Sequence, residues 1–531
     1  SKDDLNKLFK TFMLKGLPLP FKVMVETDMK NTKKHCVCLQ GPSVILPDAS
    51  YYKPQMAAQK EMILGIWTNI AKMIIAKTDL SLEEQEEYLA DTLAFDAILG
   101  GLVKTSEEWS DYVLMYNPME TNKVSTMLNT VDFEYILNDL FNFVPDTVVV
   151  FEPRYIENFI NVFNEETFKL YKHWVYVTTV INSCSLLSEE LRELGGMYYR
   201  TIAGIKAGTP IEKFAYQLAS NTYSEPVGLY YGEKYFGQEA KKDITEIVYQ
   251  IIDTYKSRIL NNDILEESTK QKAILKLSTM GVKMGYPDKV LPIYDKLVFD
   301  EEASLYDIMH ELSKIKVLDE LSKINEPTNP ARWAMPGHMV NACYDPFVND
   351  ITFPAAILQA PFYDVNRSRE ANLGSIGVVI AHEISHAFDN NGANFDENGN
   401  LKQWWTKEDY SKFEEKAKTV REFYNGVTVD SGAKVNGDLT VGENIGHEII
   451  NLIRSDLEFG LTEAQVQQYY KKPWEIQKMR VYSKCLRSGF SEEAIAVITT
   501  EKLTWQQMEV AFEFYDRCVP LETIEKVVTE N

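Results

Sequence analysis

The spacing of apolar residues predicts helices over most of the first half of this chain of 531 residues. From about Gln59 to Asn221, and again over residues 239–278, apolar positions recur every three or four residues, as on one face of an α-helix. Two of these segments open with a capping-box pattern, Ser81-Leu-Glu-Glu84 and Thr105-Ser-Glu-Glu108. The first half is therefore predicted to be mainly helical, with its aromatic residues in the core.

The period of the pattern falls to two after Met339. Val340–Tyr344 and Asp350–Phe353 alternate apolar and polar side chains, which predicts two short strands joined by a turn. About twenty residues later a helical pattern returns in Val378–Asp389, which reads VVIAHEISHAFD and is followed by an Asn-Asn-Gly stop signal. The sequence therefore predicts a mainly α fold with a small β component.

The last part of the chain repeats itself at a fixed interval. Gly460–Val466, Gly489–Ile495 and Cys518–Ile524 align at a spacing of 29 residues, with apolar positions in register. A fixed period is typical of stacked helical hairpins, and the alternative is three unrelated amphipathic helices. Such an array usually binds a partner or packs as a cap, so a protein partner is expected there. The predicted domains are a mainly helical region 1–225, a region 226–456 that contains the HEISH helix, and helical repeats over 457–531.

Composition places the chain among folded proteins with large cores. Apolar residues make up 45% and aromatic residues 12% of the sequence, which is typical of a globular protein. The formal net charge of −23 argues against nucleic acid or an anionic membrane as a main partner. The chain has no run of about eighteen apolar residues, so no membrane-spanning helix is expected.

The cysteines favour a reducing compartment. Cys36 and Cys38, with His35 beside them, would form half of a metal site, but the sequence offers no second half. The remaining cysteines are scattered, so free thiols are the favoured interpretation. Because the sequence shows no cleavable N-terminal signal, we expect a cytoplasmic protein. The chain starts at Ser1 rather than methionine, and a secreted protein whose upstream segment was removed is the alternative.

The clearest chemical signal is His382-Glu383-Ile384-Ser385-His386 on the predicted helix. On a helix, His382 and His386 lie one above the other on one face, so both imidazoles can reach one Zn²⁺. Glu383, one step round the helix, can hold a water against the metal. The alternative is a buried helix whose two histidines are satisfied by ordinary hydrogen bonds.

A third ligand is sought downstream, as a carboxylate on another helix. Val441–Ile445 offers Glu443, 57 residues after His386, and Glu443 is predicted to open a helix that ends near Ser455. A glutamate oxygen suits a two-histidine zinc site with an open fourth position. Seen alone, a glutamate on a helix is usually a surface residue, so this assignment depends on the surrounding sequence.

Several stretches together resemble the neprilysin family of zinc metallopeptidases, and most closely its bacterial oligopeptidase branch, peptidase O. They are Leu46–Tyr52, Val340–Tyr344, Phe353–Gln359, Val378–Asp389, Trp404–Thr406, Lys434–Gly437 and Gly442–Ile445. In combination these motifs are highly specific. The resemblance implies a mainly α-helical, gluzincin-type fold of two lobes that enclose a large chamber, with region 226–456 as the catalytic lobe.

The resemblance also implies the roles of individual residues. It implies one zinc ion held by His382, His386 and Glu443, with Glu383 as the general base and acid. It further implies that Asn341 and Ala342 bind the substrate backbone as an added strand. The implied function is a zinc-dependent metalloendopeptidase that hydrolyses short peptides, because the chamber excludes folded proteins.

Two positions near the implied site depart from the family pattern. Where the family has an aspartate that orients a zinc histidine, four residues after the glutamate ligand, this chain has His447. A neutral His447 could accept only through one nitrogen, a weaker contact, and the alternative is that it becomes a fourth zinc ligand and closes the site. Asp389, on the zinc helix itself, is expected to replace that aspartate only in part. The family also has a histidine near its C-terminus that stabilises the tetrahedral intermediate, and no histidine follows His447 here.

These departures leave two further hypotheses beside an active zinc oligopeptidase. One is a catalytically impaired pseudo-peptidase that binds peptides on the 340–344 strand without cutting them. The other is an interaction protein that acts through its C-terminal repeats. The intact HEISH sequence and Glu443 favour the peptidase, with turnover expected to be reduced by the two departures.

Overall fold

The computed structural model describes residues 2–262, 265–429, 432–445, 465, 468–469, 476–500, 502–517 and 519–529. The described chain is mainly α-helical with few strands, which confirms the predicted fold class. Its helices are Lys2–Leu14, Ala57–Ile75, Leu82–Gly100, Ser106–Ser110, Thr121–Met127, Phe133–Phe141, Pro153–Glu157, Phe159–Val162, Phe168–Ser183, Glu189–Ile202, Ile211–Thr222, Ser224–Tyr235, Gly237–Leu260, Glu267–Ser278, Leu305–Ser322, Arg369–Gly374, Ile376–Ser385, Lys407–Tyr424, Ile476–Arg487, Glu492–Ile498, Trp505–Asp516 and Leu521–Thr529. Residues 437–445 are helical as well.

Both predicted capping boxes are present. The Ser81 hydroxyl accepts the N–H of Glu84, and the Glu84 carboxylate accepts the N–H of Ser81. Thr105 and Glu108 make the same reciprocal pair at the next helix. Each pair satisfies two backbone N–H groups that a helix start would otherwise leave without a partner.

The chain forms two units, each made of three segments. The first unit comprises Ser1–Glu246, Ser278–Arg367 and Asn391–Trp404, and the second comprises Ile247–Leu277, Ser368–Asn390 and Trp405–Asn531. The domain boundaries expected near residues 225 and 456 stay predictions.

The first unit is built around a four-stranded sheet with an aromatic core. Its strands are β1 (Lys22–Thr27), β2 (His35–Gln40), β3 (Pro118–Glu120) and β4 (Thr147–Val150), in the order β1-β2-β4-β3. The buried faces of these strands share one hydrophobic cluster with the rings of Phe21, Phe159 and Phe163. The Phe159 ring lies 5.6 Å from the Phe21 ring and 5.8 Å from the Phe163 ring, so it occupies the centre of this aromatic group.

A smaller sheet in the first unit contains the region implied to bind substrate. Its strands are β5 (Gly281–Gly285), β6 (Cys343–Asp345) and β7 (Asp350–Pro354), in the order β5-β7-β6, so β6 lies at the edge of this sheet. The strand expected over 340–344 begins only at Cys343. The Asn341 side chain accepts the N–H of Ala342 at 2.9 Å, and this local bond replaces strand pairing before Cys343.

The C-terminal helices recur at the interval expected from the sequence. Ile476–Arg487 and Trp505–Asp516 are 29 residues apart and pack against each other, as do Glu492–Ile498 and Leu521–Thr529. Buried Met479, Ile495, Met508 and Ile524 belong to one hydrophobic core made only of residues from this tail. The first sequence repeat, at 460–466, lies almost entirely outside the described residues.

Within the described ranges, no helix is both long enough and apolar enough to cross a membrane.

Replacing Phe159 with alanine is expected to destabilise the first unit by about 3–5 kcal/mol, because it leaves a cavity among packed rings. Ile160→Ala is the matched control: Ile160 is the next residue and is 43% exposed, so its loss should cost under about 1 kcal/mol. Urea unfolding followed by circular dichroism measures both. Equal shifts of the two variants would show that the aromatic group is not the core of this unit.

Candidate metal centre

The HEISH sequence lies at the C-terminal end of the helix Ile376–Ser385. The α-helix stops one residue before His386, and His386–Phe388 form a tighter 3-10 turn. The N–H of His386 still donates to the carbonyl of His382, so the two histidines keep the one-turn relation that the sequence predicted. Ile380 and Ile384 are fully buried and anchor this helix.

The Nε2 atoms of the two imidazoles converge. Their Nε2 atoms are 3.0 Å apart, and their ring planes are inclined at 75°. His382 and Glu383 are buried, whereas His386 is half-buried. Oε1 of Glu383 lies 4.0 Å from Nε2 of His382, which places this carboxylate beside the histidine pair.

Asp389 fixes the ring of His386. Its Oδ2 lies 2.8 Å from Nδ1 of His386, and its side chain is buried. Because a carboxylate only accepts hydrogen bonds, the proton of neutral His386 is on Nδ1, and Nε2 presents its lone pair. The sequence suggested a partial role for Asp389, and the structure places it in direct contact with His386.

The same contacts change the proton affinity of His386. Burial acts to lower the pKa of His386, but the hydrogen bond with Asp389 and the charges of Asp389, Glu383 and Glu443 outweigh it. The pKa of His386 is therefore raised above its ordinary value of 6.5. A proton and a metal ion compete for Nε2 of this ring.

Glu443 reaches the two histidines from a second helix. Its Oε2 lies 3.2 Å from Nε2 of His382, and its Oε1 lies 3.9 Å from Nε2 of His386. The expectation that Glu443 opens its helix was wrong, since the helix already covers residues 437–445. Asn436 starts it by accepting the N–H groups of Asp438 and Leu439. The expected end near Ser455 lies outside the described residues.

Gly442 lets the second helix approach the Asp389 carboxylate. A Cβ atom at this position would lie 3.1 Å from Oδ2 of Asp389 and 3.0 Å from Oδ1 of Asn390. Any larger residue would push against the group that holds His386. A glycine before Glu443 is therefore favoured by close packing rather than by backbone conformation.

The donor atoms of His382, His386 and Glu443 fit a zinc ion. Tetrahedral zinc with bonds of about 2.0–2.2 Å separates its ligand atoms by about 3.3–3.6 Å. The separations here, 3.0, 3.2 and 3.9 Å, bracket that range. Two imidazoles and one carboxylate also match the donor set of catalytic zinc sites, which leave a fourth position open.

Other residues expected from the sequence lie elsewhere or outside the described chain. Asn341 and Ala342 belong to the first unit, where they directly precede β6. His447 lies outside the described residues, so its effect on a zinc histidine stays a prediction. Sequence reasoning missed Tyr255, which contacts the backbone of the HEISH helix, and Lys276, which contacts the backbone of the 3-10 turn after it. No spacing in the sequence distinguishes Lys276 from the other lysines of its helix, because its burial depends on packing.

A histidine pair on a helix, with a buried glutamate beside it and a carboxylate from another helix, is an arrangement typical of zinc metallopeptidases. Profiles described as peptidase family M13 match this chain over residues 1–287 and 341–453. The chain belongs to peptidase family M13 and is a zinc metalloendopeptidase. The resemblance to the neprilysin family is thereby confirmed.

Curated relatives support this placement. The neutral endopeptidase of Lactococcus lactis subsp. lactis is 40% identical over 447 residues, which are 84% of this chain and 70% of that protein. The neutral endopeptidase of Lactobacillus helveticus is 38% identical over 444 residues, which are 84% of this chain and 67% of that protein. Human endothelin-converting enzyme 1 is 27% identical over 440 residues, which are 80% of this chain and 56% of that protein.

Solved structures share the fold. PepO from Lactobacillus rhamnosis superposes with a TM-score of 0.82 at 30% identity, over 99% of this chain and 82% of that chain. The zinc metalloprotease Zmp1 of Mycobacterium tuberculosis, in complex with an inhibitor, superposes with a TM-score of 0.76 at 26% identity, over 100% of this chain and 81% of that chain. The second M13 profile ends at residue 453, before the described tail helices.

Replacing Asp389 with asparagine is expected to weaken zinc binding by about 10–100-fold, because His386 loses the carboxylate that orients it. Competition with a chromophoric chelator measures the zinc dissociation constant. Asp409→Asn is the matched control, because Asp409 is a buried aspartate of the same unit that accepts the N–H of Glu266 at 2.9 Å. The control should lose stability but keep its zinc affinity; equal losses of affinity in both variants would contradict the role of Asp389.

Proposed function

We propose that His382, His386 and Glu443 hold one zinc ion, and that Glu383 is the general base and acid of peptide hydrolysis. The convergence of donor atoms from two helices carries this proposal: the two Nε2 atoms lie 3.0 Å apart, and the two carboxylate oxygens of Glu443 lie 3.2 and 3.9 Å from them. The Asp389 contact supports it further, because a carboxylate behind a ligating imidazole is the usual partner of a zinc histidine.

The chemistry divides between the metal and the protein. A zinc ion held there would supply Lewis acidity to the scissile carbonyl and to the attacking water. Glu383 takes a proton from that water and delivers it to the nitrogen of the leaving amine. Its carboxylate is buried beside His382, away from bulk solvent.

The peptide substrate would bind to the first unit. Asn341 and Ala342 bind the backbone of a short, extended peptide, as the neprilysin resemblance implies. The position of β6 at the edge of its sheet supports this role, because an edge strand can accept another strand by backbone hydrogen bonding. Val340 and Asn341 are exposed, so the segment before β6 is accessible to a peptide.

The C-terminal repeats and the cellular location are further proposals. The tail helices have a hydrophobic core of their own, which supports a separate module that binds a protein partner. A cytoplasmic location is supported by the free thiols of Cys36, Cys38, Cys184 and Cys485.

Replacing Glu383 with glutamine is expected to lower peptide hydrolysis by about 10²–10⁴-fold, because the variant cannot accept the proton of the attacking water. Zinc content should stay unchanged, since Glu383 is not a ligand in this proposal. A quenched fluorescent peptide library measures hydrolysis, and atomic absorption measures zinc. Unchanged hydrolysis would refute the role of Glu383, while bound zinc without cleavage by either protein would favour the peptide-binding pseudo-peptidase.

Zinc affinity is expected to fall as the pH decreases through the raised pKa of His386, because the imidazole must lose a proton to bind the metal. As the pH is lowered, the decline should begin at a pH above 6.5, because the pKa of His386 is raised above that ordinary value. It should reach about tenfold in zinc affinity per pH unit for one competing proton. In the metal-free protein the sign is opposite: protonated His386 stabilises the fold at low pH, and this contribution is lost as the pH rises through the raised pKa. Zinc titrations at several pH values, followed by chelator competition, measure the first effect, and a flat profile would contradict it.

A further inference from the structure

We infer that Tyr255 and Lys276 are positioning residues of the metal centre. They hold the backbone carbonyls on either side of the segment from His382 to His386. This inference rests on the proposed ligand roles of His382 and His386. Each donates to a peptide carbonyl that flanks the ligand pair, Tyr255 just before His382 and Lys276 just after His386. Both belong to the second unit, as does the whole HEISH helix.

Tyr255 acts at the first histidine. Its hydroxyl donates to the carbonyl oxygen of Ala381 at 2.9 Å. That carbonyl belongs to the peptide group that also carries the N–H of His382. A hydrogen bond to this oxygen therefore restrains the peptide plane from which the His382 side chain projects.

Lys276 acts at the second histidine. Its Nζ donates to the carbonyl oxygen of Ala387 at 2.9 Å, and it lies 5.9 Å from the centre of the Phe388 ring. Ala387 lies between His386 and Asp389 in the sequence, so this carbonyl belongs to the short turn that joins the two. Fixing the turn fixes the position from which Asp389 reaches Nδ1 of His386.

The burial of Lys276 indicates that this contact is specific. The residue is only 1% exposed, and removing an ammonium group from water is costly unless the protein supplies compensating dipoles. The end of an α-helix supplies them, because the last carbonyls lack partners within the helix and carry the negative end of its dipole. The α-helix ends at Ser385, so the Ala387 carbonyl lies just beyond that end, where a buried cation is stabilised.

The two contacts act on both sides of the ligand pair from segments remote in the sequence. Tyr255 is 126 residues from Ala381, and Lys276 is 111 residues from Ala387. Between these two held carbonyls lie both histidines and Glu383. The Nε2 atoms converge only if the turn keeps its pitch across the change from α-helix to 3-10 turn, and these two donors restrain it on either side of that change.

The test compares zinc binding with stability in full-length variants. Tyr255→Phe removes one oxygen atom and should raise the zinc dissociation constant about three- to tenfold, and Lys276→Met should raise it about 10–100-fold. Tyr198→Phe is the matched control, because Tyr198 is a buried tyrosine of the first unit whose hydroxyl donates to the carbonyl of Ile45 at 3.0 Å. The control should leave the zinc dissociation constant unchanged.

A spectroscopic measurement separates positioning from a general loss of stability. With Co²⁺ in place of zinc, the visible absorption bands report the ligand geometry directly. They should shift in Tyr255→Phe and stay unchanged in Tyr198→Phe, whatever each variant does to the unfolding midpoint. Should Lys276→Met fail to fold, Tyr255→Phe still decides the matter.

Two negative outcomes are distinguishable. Unchanged zinc affinity and unchanged cobalt bands in both Tyr255→Phe and Lys276→Met would overturn the positioning roles, while loss of zinc binding in His382→Ala would leave the ligand assignment standing. Full zinc binding by His382→Ala would refute the ligand assignment, and the positioning roles with it.

Discussion

The hydrogen bond between Asp389 and His386 is the constraint on which the geometry of the metal centre depends. The HEISH spacing brings the two imidazoles to one face, but this spacing does not decide which ring nitrogen faces the other histidine. Asp389 holds it at 2.8 Å, and so decides that Nε2 rather than Nδ1 faces His382. Gly442 allows the carboxylate to stay there while the helix with Glu443 passes close to it.

Other residues of the second unit surround that bond and restrain the metal centre. The histidines, Glu383 and Asp389 come from one short segment, and the third proposed ligand comes from the helix over 437–445. Behind them, buried apolar residues of the HEISH helix and two side-chain donors hold its backbone. A catalytic zinc site needs this kind of support, because small displacements of a ligand cost both metal affinity and turnover.

The sequence predicted the parts of the site that depend on local spacing. The two histidines, Glu383 and the capping boxes follow from patterns within a few residues, where helix geometry alone decides which side chains meet. The contact of Asp389 with His386 also lies within three residues, but Asp389 follows a 3-10 turn, which no periodicity shows.

Contacts between segments that are remote in the sequence could not be predicted from local spacing. Lys276 reads as one more lysine in a helical region rich in charge, and only the packing of its helix shows that it is buried. The start of the Glu443 helix was misplaced because the capping role of Asn436 depends on a turn rather than on a repeating pattern. The strand predicted over 340–344 was too long for a similar reason, because the side chain of Asn341 competes with strand pairing before Cys343.

The most direct test of this account is the location of the metal itself. Crystals of the zinc-loaded protein, measured on both sides of the zinc absorption edge, give an anomalous difference map that identifies zinc without reference to the protein. We expect one strong peak at about 2.0–2.2 Å from Nε2 of His382, Nε2 of His386 and a carboxylate oxygen of Glu443. A peak at another group of residues, or one bound by the two histidines with Glu443 turned away, would contradict it.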